Sequence, residues 1–268
     1  MLRFTKMNGA GNDFVLIDNR SEAYNLSRGQ IAFLCDRHRG VGADGVLLVE
    51  QPEAAGDFRM RYYNSDGGEA EMCGNGARCF SRFVNKIAGP RTQVRFETQA
   101  GMIEAEIDGD LVKLGMSRPH SLVLNRSLDI GGVKLSTHFV NTGVPHVVTF
   151  VDDIASVPVQ QWGSEIRFHP AFRPNGTNAN FVKEIEPGKL AIRTYERGVE
   201  AETLACGTGV TAAGLVYAAL SNAVSPVQLQ VRGGDWLEVG FRASGNDFED
   251  VTLKGPADFT FEGSITIS

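Results

Sequence analysis

The chain has 268 residues, of which 42% are hydrophobic and 22% are charged, and its formal net charge is −6. This composition is typical of a globular protein with an ordinary hydrophobic core. The negative charge and the lack of a Lys/Arg-rich run argue against a nucleic-acid partner. No apolar stretch is long enough to cross a membrane, and polar residues interrupt residues 1–17, where a signal peptide would have its apolar core. We therefore expect a cytoplasmic protein with no membrane partner.

Four cysteines in a chain of this length are too few for the disulfide framework of a small secreted protein. Reduced thiols in a reducing compartment are expected. The sequence contains no C-x2-C pair, so no metal site is expected either.

In the first half, apolar spacing predicts two helices among short strands. One helix is predicted at Ser27–Cys35, with Ser27 as its cap, and the other runs from Ala77 to a stop at Gly89-Pro90. A first strand around Phe4 and Val15–Ile17 is broken by a glycine loop at Gly9–Gly11. Further strands are predicted at Val46–Val49, Phe58–Tyr63, Gln93–Phe96, Met102–Ile107 and Leu111–Leu114.

The second half resembles the first. Its one predicted helix, Val210–Leu220, is apolar on nearly every side, which indicates that sheet encloses it. We place the domain crossing near Ser117–His120 and expect Phe259–Ile267 to return to the first domain. The predicted domains are therefore 1–117 with 256–268, and 118–255. Strands are predicted at Lys134–Val140, Val147–Val151, Asn180–Val182, Leu190–Tyr195, Val227–Val231, Trp236–Phe241 and Val251–Leu253.

An internal repeat links the halves and indicates a duplicated unit. Arg61, Tyr63 and Asn64, followed by Cys73-Gly74-Asn75-Gly76, recur as Arg193, Tyr195 and Glu196, followed by Cys206-Gly207-Thr208-Gly209. The offset is 132 residues at the arginine and 133 at the cysteine.

Each repeated cysteine stands at a glycine-rich turn just ahead of a helix. Backbone N–H groups and the helix dipole stabilise a thiolate there, and the same N–H groups can bind a carboxylate. Two such thiols, one on each face of an α-carbon, can remove a proton and return another from the opposite side, which inverts the centre. Cys73 and Cys206 are therefore the candidate acid and base, whereas Cys35 and Cys79 are expected to be structural.

At these motifs the chain resembles diaminopimelate epimerase nearly from end to end. The motifs that carry the resemblance are Lys6–Phe14, Asn64–Gly67, Glu71–Cys79, Gly143–His146, Asn178–Phe181, Tyr195–Gly198, Glu202-Thr203 and Cys206–Gly209. The resemblance implies a cofactor-independent isomerase that interconverts LL- and meso-diaminopimelate in lysine and peptidoglycan precursor biosynthesis.

The resemblance also implies site roles. Cys73 and Cys206 would be the two acid/base thiols, and Glu196 and His146 would support them. Arg197 would pair with the distal carboxylate of the substrate, and Glu196 with its distal ammonium. The full implied substrate-binding set is Asn12, Asn64, Gly74, Asn75, Asn178, Glu196, Arg197, Gly207 and Thr208.

The expected architecture is α/β, with two pseudo-symmetric domains. Each would be a curved, mostly antiparallel sheet around a central helix, with the active site in the interdomain cleft. The expected partner is a small-molecule substrate, no cofactor is implied, and a homodimer is left open. Three alternatives remain: a proline or hydroxyproline racemase-type enzyme with the same two-thiol logic, a non-catalytic amino-acid-binding protein, and a redox-regulatory protein.

Overall fold

The structure is a computed structural model that describes residues 1–245 and 247–267. Asn246 and Ser268, which fall inside the predicted domain boundaries, lie outside the described residues. The chain divides into two compact units, one of Met1–Leu114 with the segment that begins at Gly255, and one of Gly115–Lys254.

The chain contains short strands interrupted by a few helices in both halves. The first half contains β1 (Leu2–Gly9), β2 (Asn12–Asp18), α1 (Arg28–Cys35), β3 (Gly45–Glu50), β4 (Phe58–Asn64), β5 (Glu69–Ala70), α2 (Gly74–Ala88), β6 (Gln93–Thr98), β7 (Gly101–Asp108) and β8 (Leu111–Gly115). The second half contains β9 (His120–Ile130), β10 (Val133–Asn141), β11 (Pro145–Phe150), α3 (Val159–Arg167), a 3₁₀ turn (Pro170–Phe172), β12 (Asn178–Glu186), β13 (Lys189–Glu196), β14 (Ala201–Thr203), α4 (Gly207–Ser221), β15 (Val227–Gln230), β16 (Trp236–Ser244), β17 (Asp247–Pro256) and β18 (Asp258–Ile265).

The strands of the first unit pair in the order β18-β1-β2-β3-β4-β6-β7-β8, with the short β5 also on β4. Only β2/β3 and β4/β6 are parallel pairs among these. The connection from β2 to the parallel β3 contains α1, and the connection that leads to β6 contains α2.

The second unit has the same topology, in the order β9-β10-β11-β12-β13-β15-β16-β17, with β14 on β13. Its parallel pairs are β11/β12 and β13/β15, and α3 and α4 occupy the places of α1 and α2. The predicted mostly antiparallel α/β fold is confirmed.

Alternation along the strands of the first unit separates two apolar clusters on opposite faces of the sheet. One cluster contains Val15, Val46 and Leu48 with α1. The other contains Leu16 and Leu47 with α2 and with strands β6 to β8. Because both β2–β4 and β6–β8 contribute to this second cluster, α2 is enclosed by sheet, and Phe80 packs against Phe96 with ring centroids 4.6 Å apart.

In the second unit α4 is buried over its whole central part, from Gly209 to Ala218. The packing is close: a Cβ added to Gly214 would lie 3.0 Å from the Val239 side chain of β16. This confirms the prediction, from its all-round apolar sequence, that sheet encloses this helix.

The structure also differs from the sequence prediction. Both central helices begin three residues earlier than the apolar spacing indicated, at Gly74 instead of Ala77 and at Gly207 instead of Val210. The elements that the sequence reading missed are β5, β9, α3, the 3₁₀ turn and β14. No helix within residues 1–245 and 247–267 has the length and apolar character needed to cross a membrane.

The capping box of α1 gives a stability prediction. Ser27 Oγ accepts from the Gln30 N–H at 3.3 Å, and Gln30 Oε1 accepts from the Ser27 N–H at 3.0 Å. We expect Ser27→Ala to lower the free energy of unfolding by about 1 kcal/mol, because backbone donors at the helix start lose a partner. Denaturant unfolding would measure it, with Ser21→Ala at an exposed turn position as the control. Equal stability of the two variants would contradict the prediction.

Candidate active site

Both repeated cysteines are the residues that directly precede a central helix. Cys73 precedes α2 and Cys206 precedes α4, and both have extended backbones, with φ/ψ of −138°/120° and −127°/107°. The carbonyl of each accepts the first helical hydrogen bond, from the N–H of Ala77 at 2.7 Å and of Val210 at 2.9 Å. Cys73 is half-buried, and Cys206 is 7% exposed.

This position has an electrostatic consequence. The N–H groups of the first helical residues, Gly74 and Asn75 in one unit and Gly207 and Thr208 in the other, have no acceptor within their helix. They and the helix dipole favour negative charge, on the thiolate or on a bound carboxylate. In the second unit, Thr208 Oγ1 also lies 3.6 Å from Cys206 Sγ, within reach of a hydrogen bond to sulfur.

In the first unit the structure brings Asn12 and Asn75 together. Asn75 Nδ2 donates to Asn12 Oδ1 at 2.5 Å, and Asn75 Oδ1 accepts from Arg78 Nη2 at 2.9 Å. Arg78 is fully buried and also donates to the carbonyls of Gly9 and Pro256. The buried guanidinium therefore fixes which way the Asn75 amide faces.

Asn64 lies on the same end of the sheet. Asn64 pairs with Gly45, and Gly45 pairs with Phe14 near the start of β2. The last residue of β4, Asn64, and the first residue of β2, Asn12, therefore lie at the same edge of the sheet. Asn64 is exposed, and its backbone N–H bonds the Gly68 carbonyl at 2.9 Å.

The second unit groups its predicted residues at the equivalent edge. Asn178 Oδ1 accepts from the backbone N–H of Arg197 at 2.8 Å, and Asn178 Nδ2 donates to the Pro145 carbonyl at 3.0 Å. His146 pairs with Asn178 in the β11/β12 ladder. Asn178 thus joins the start of β11 to the turn that carries Arg197.

The charge of Glu196 is set by its surroundings. Burial raises the pKa of this carboxyl, and the hydrogen bond that Glu196 Oε2 accepts from Thr203 Oγ1 at 2.9 Å opposes the rise. A buried carboxylate is best satisfied by a cation. Glu196 is therefore suited to accept an ammonium group from a ligand.

His146 is a neutral imidazole. It is fully buried, and burial lowers its pKa to about 3, with the positive charge of Arg197 adding to the effect. Its Nδ1 lies 3.2 Å from Asn180 Nδ2, and its buried Nε2 has no hydrogen-bond partner within the part of the chain that the structure describes.

The remaining cysteines are unsuited to acid/base work. Burial raises the pKa of the Cys35 thiol to about 11 and that of the Cys79 thiol to about 12, so both are protonated at neutral pH. Among the described residues no three His, Cys, Asp or Glu side chains lie together as a possible metal site.

Sequence reasoning missed the residues that hold the site residues in place, namely Arg78, Thr142, Asn180, Thr194 and Thr203. Thr142 Oγ1, for example, donates to the Thr208 carbonyl at 2.9 Å, across 66 residues of sequence. Two signals were available. Arg78, Asn180 and Thr203 stand inside the motifs that carry the family resemblance. Arg78 also follows Asn75 by three positions, which puts the two on one helix face.

Comparison with known proteins identifies close relatives. A family model for diaminopimelate epimerase matches residues 4–121 and 138–259. A diaminopimelate epimerase of Aquifex aeolicus is 42% identical over 99% of this chain and 98% of its own. One of Chlorobaculum tepidum is also 42% identical, over 97% of this chain and 100% of its own.

Solved structures share the fold at low identity. A Bacillus anthracis phenazine biosynthesis protein of the PhzF family matches 99% of both chains with a TM-score of 0.76 and 14% identity. A hydroxyproline epimerase from Agrobacterium vitis, with bound trans-4-hydroxy-L-proline, matches 98% of this chain and 90% of its own with a TM-score of 0.70 and 15% identity. At such identities the likeness extends to the fold alone.

Glu196 gives a prediction for the dependence of stability on pH. A carboxyl with a raised pKa binds its proton more readily in the folded state, so its stabilising contribution is present below the unfolded pKa of about 4.3 and is lost as the pH rises through the folded pKa. Glu196→Gln cannot ionise. We expect this variant to have a Tm roughly 2–4 °C above that of the parent protein at pH 8, and no higher at pH 4.

Thermal unfolding at both pH values would measure the effect, with the exposed Glu22→Gln as a matched control that leaves Tm unchanged at either pH. A Tm for Glu196→Gln below that of the parent at pH 8 would show that ionised Glu196 stabilises the fold, contrary to the burial argument.

Proposed function

Because the chain belongs to the diaminopimelate epimerase family, we propose that it interconverts LL- and meso-diaminopimelate through two cysteines and without a cofactor. One observation carries the proposal. Two units of the same topology each place a cysteine directly before a buried central helix, and Gly-x-Gly forms the first turn of that helix. A racemising enzyme needs this duplication because the proton leaves one face of the α-carbon and arrives on the other.

The proposed reaction uses Cys73 and Cys206 as base and acid. One sulfur, as thiolate, removes the α-proton, and the electron pair of the broken C–H bond delocalises into the substrate carboxylate. The other sulfur, as thiol, then gives its proton to the opposite face of the planar carbon. The two sulfurs end with their protonation states exchanged, which readies the pair for the reverse direction, and their pKa values belong to the pair.

Backbone donors would supply the stabilisation that this carbanion needs. The N–H groups of Gly74, Asn75, Gly207 and Thr208 stand at helix starts, where they favour negative charge. Their bonds to the reacting carboxylate strengthen as charge moves onto it, which lowers the barrier to proton removal.

The distal end of the substrate would be held by residues of both polarities. In the proposal, Arg197 pairs with the distal carboxylate and Glu196 with the distal ammonium. The buried carboxyl of Glu196, with its raised pKa, supports this assignment because an incoming cation relieves the desolvation of the carboxylate. Asn12, Asn64 and Asn178 would add hydrogen bonds, and the neutral His146 would support the site as a donor.

The reaction would belong to the synthesis of lysine and of peptidoglycan precursors. Its two thiols have to stay reduced, so we place it in the cytoplasm, where thiols are kept reduced.

The first test is incubation of the reduced protein with LL-diaminopimelate in D2O without added cofactor. We expect α-deuterium incorporation and meso product by NMR. Cys73→Ser and Cys206→Ser should each lower kcat/KM by about 10²–10⁴-fold, the range for loss of a general acid or base.

Cys35→Ala is the matched control, since it removes a buried thiol of the first unit at the last residue of α1. It should retain activity. Epimerisation that persists at the parent rate in Cys206→Ser would exclude the two-cysteine mechanism. Exchange of proline or hydroxyproline in place of diaminopimelate would assign the protein to the other racemising class on this fold.

A further inference from the structure

The two helix starts that carry the cysteines have chemically different supports. In the first unit, Phe14 is the β2 residue of the first β2/β3 pair, and Leu47 is the β3 residue of the third pair. Leu47 also pairs with Tyr62 of β4. The equivalent positions of the second unit hold His146 and Asn180, and Asn180 pairs with Thr194. An apolar support under α2 thus corresponds to a polar one under α4.

The Asn180 amide is fully buried, and all its hydrogen-bonding groups are engaged. Its Nδ2 donates to the Val147 carbonyl at 2.8 Å and approaches His146 Nδ1 at 3.2 Å, while its Oδ1 accepts from Thr194 Oγ1 at 3.0 Å. The Val147 carbonyl can only accept, so the amide nitrogen has to face it. This fixes the orientation of the side chain.

That orientation determines the tautomer of His146. The second N–H of the Asn180 amide points to His146 Nδ1, which must therefore be the acceptor. A neutral imidazole with an accepting Nδ1 carries its proton on Nε2. His146 is accordingly a buried donor at Nε2. Its Nδ1 cannot take a proton from a thiol, because the lone pair of that nitrogen already accepts the Asn180 N–H.

Asn180 also lies directly beneath the first turn of α4. A Cβ added to Gly209 would be 2.4 Å from Asn180 Oδ1 and 3.4 Å from Cys206 Sγ. At the equivalent Gly76 of α2, an added Cβ would be 3.5 Å from the Leu47 methyl groups, an ordinary contact. The turn beside Cys206 therefore packs on the amide oxygen at a distance that only glycine allows.

We propose that Asn180 is a positioning residue for Cys206: it seats the first turn of α4 and holds His146 as the Nε2–H tautomer, whereas the first turn of α2, which follows Cys73, packs on Leu47 instead. The catalytic meaning of this assignment rests on the proposed function. The effect on the Cys206 thiol does not, and it can be measured without substrate.

The test replaces Asn180 with the residue that the first unit has at the same register, in Asn180→Leu. Iodoacetamide alkylation of the reduced protein is followed against pH, with Cys206 and Cys73 quantified separately by peptide mass spectrometry. If the first turn of α4 shifts, its backbone N–H groups no longer face Cys206 as before, and the Cys206 thiolate should become less stable. We expect about tenfold slower alkylation of Cys206 at pH 7, equivalent to a rise of one pKa unit, while Cys73 changes less than about twofold.

A second pair of variants keeps the test decisive if Asn180→Leu does not fold. Thr194→Val leaves the shape of the side chain nearly unchanged but removes the hydroxyl that donates to Asn180 Oδ1. Thr194→Ser keeps this hydroxyl. Thr194→Val should slow Cys206 alkylation selectively, and Thr194→Ser should restore most of the rate. Parallel changes at both cysteines, or equal rates for the two Thr194 variants, would overturn the proposal. If the effect is selective for Cys206 but the parent protein does not epimerise diaminopimelate, the positioning role of Asn180 is supported and the proposed function is rejected.

Discussion

The N–H groups at the start of a buried helix, which have no acceptor within the helix, are the constraint on which the rest of this structure depends. A helix start inside a protein needs an acceptor, because buried donors without partners are costly. Both units begin their central helix with a half-buried or buried first turn, and a cysteine is the preceding residue. The cysteine directly precedes these donors, so the way the helix is buried sets the electrostatic surroundings of the thiol.

The close packing of α4 in turn depends on small residues at its start and in its middle. Gly209 and Gly214 permit α4 to approach Asn180 and Val239 more closely than a larger side chain would allow. The two units reach the same placement by different means. The first uses a guanidinium, Arg78, to orient Asn75 from within its own helix, and the second uses an amide from the sheet, Asn180, under the helix. Equivalent folds therefore give the two thiols different surroundings.

The sequence predicted the fold well where a period or a repeat carried the information. The capped helix α1, the all-round apolar α4 and most strands follow from local pattern. The helix starts were missed because Gly-Asn-Gly and Gly-Thr-Gly have poor helix propensity, which tertiary packing overrides. Helix α3 has apolar residues at Val159, Trp162 and Ile166, but it is short and contains Gly163. Within the site, Arg78 also bonds Gly9 and Pro256, and Asn180 bonds Val147 and Thr194. These partners are remote in sequence, and no spacing rule reveals such contacts.

The pairing of β1 with β18 has a consequence for the order in which the protein is completed. Leu2 lies opposite Ile265, so the first unit is built from both ends of the chain, while the second unit is continuous. During synthesis the ribosome releases all of the second unit before the strand that completes the first. The half that is translated first is thus the half that is finished last, and its β1 edge stays open to other strands until β18 emerges.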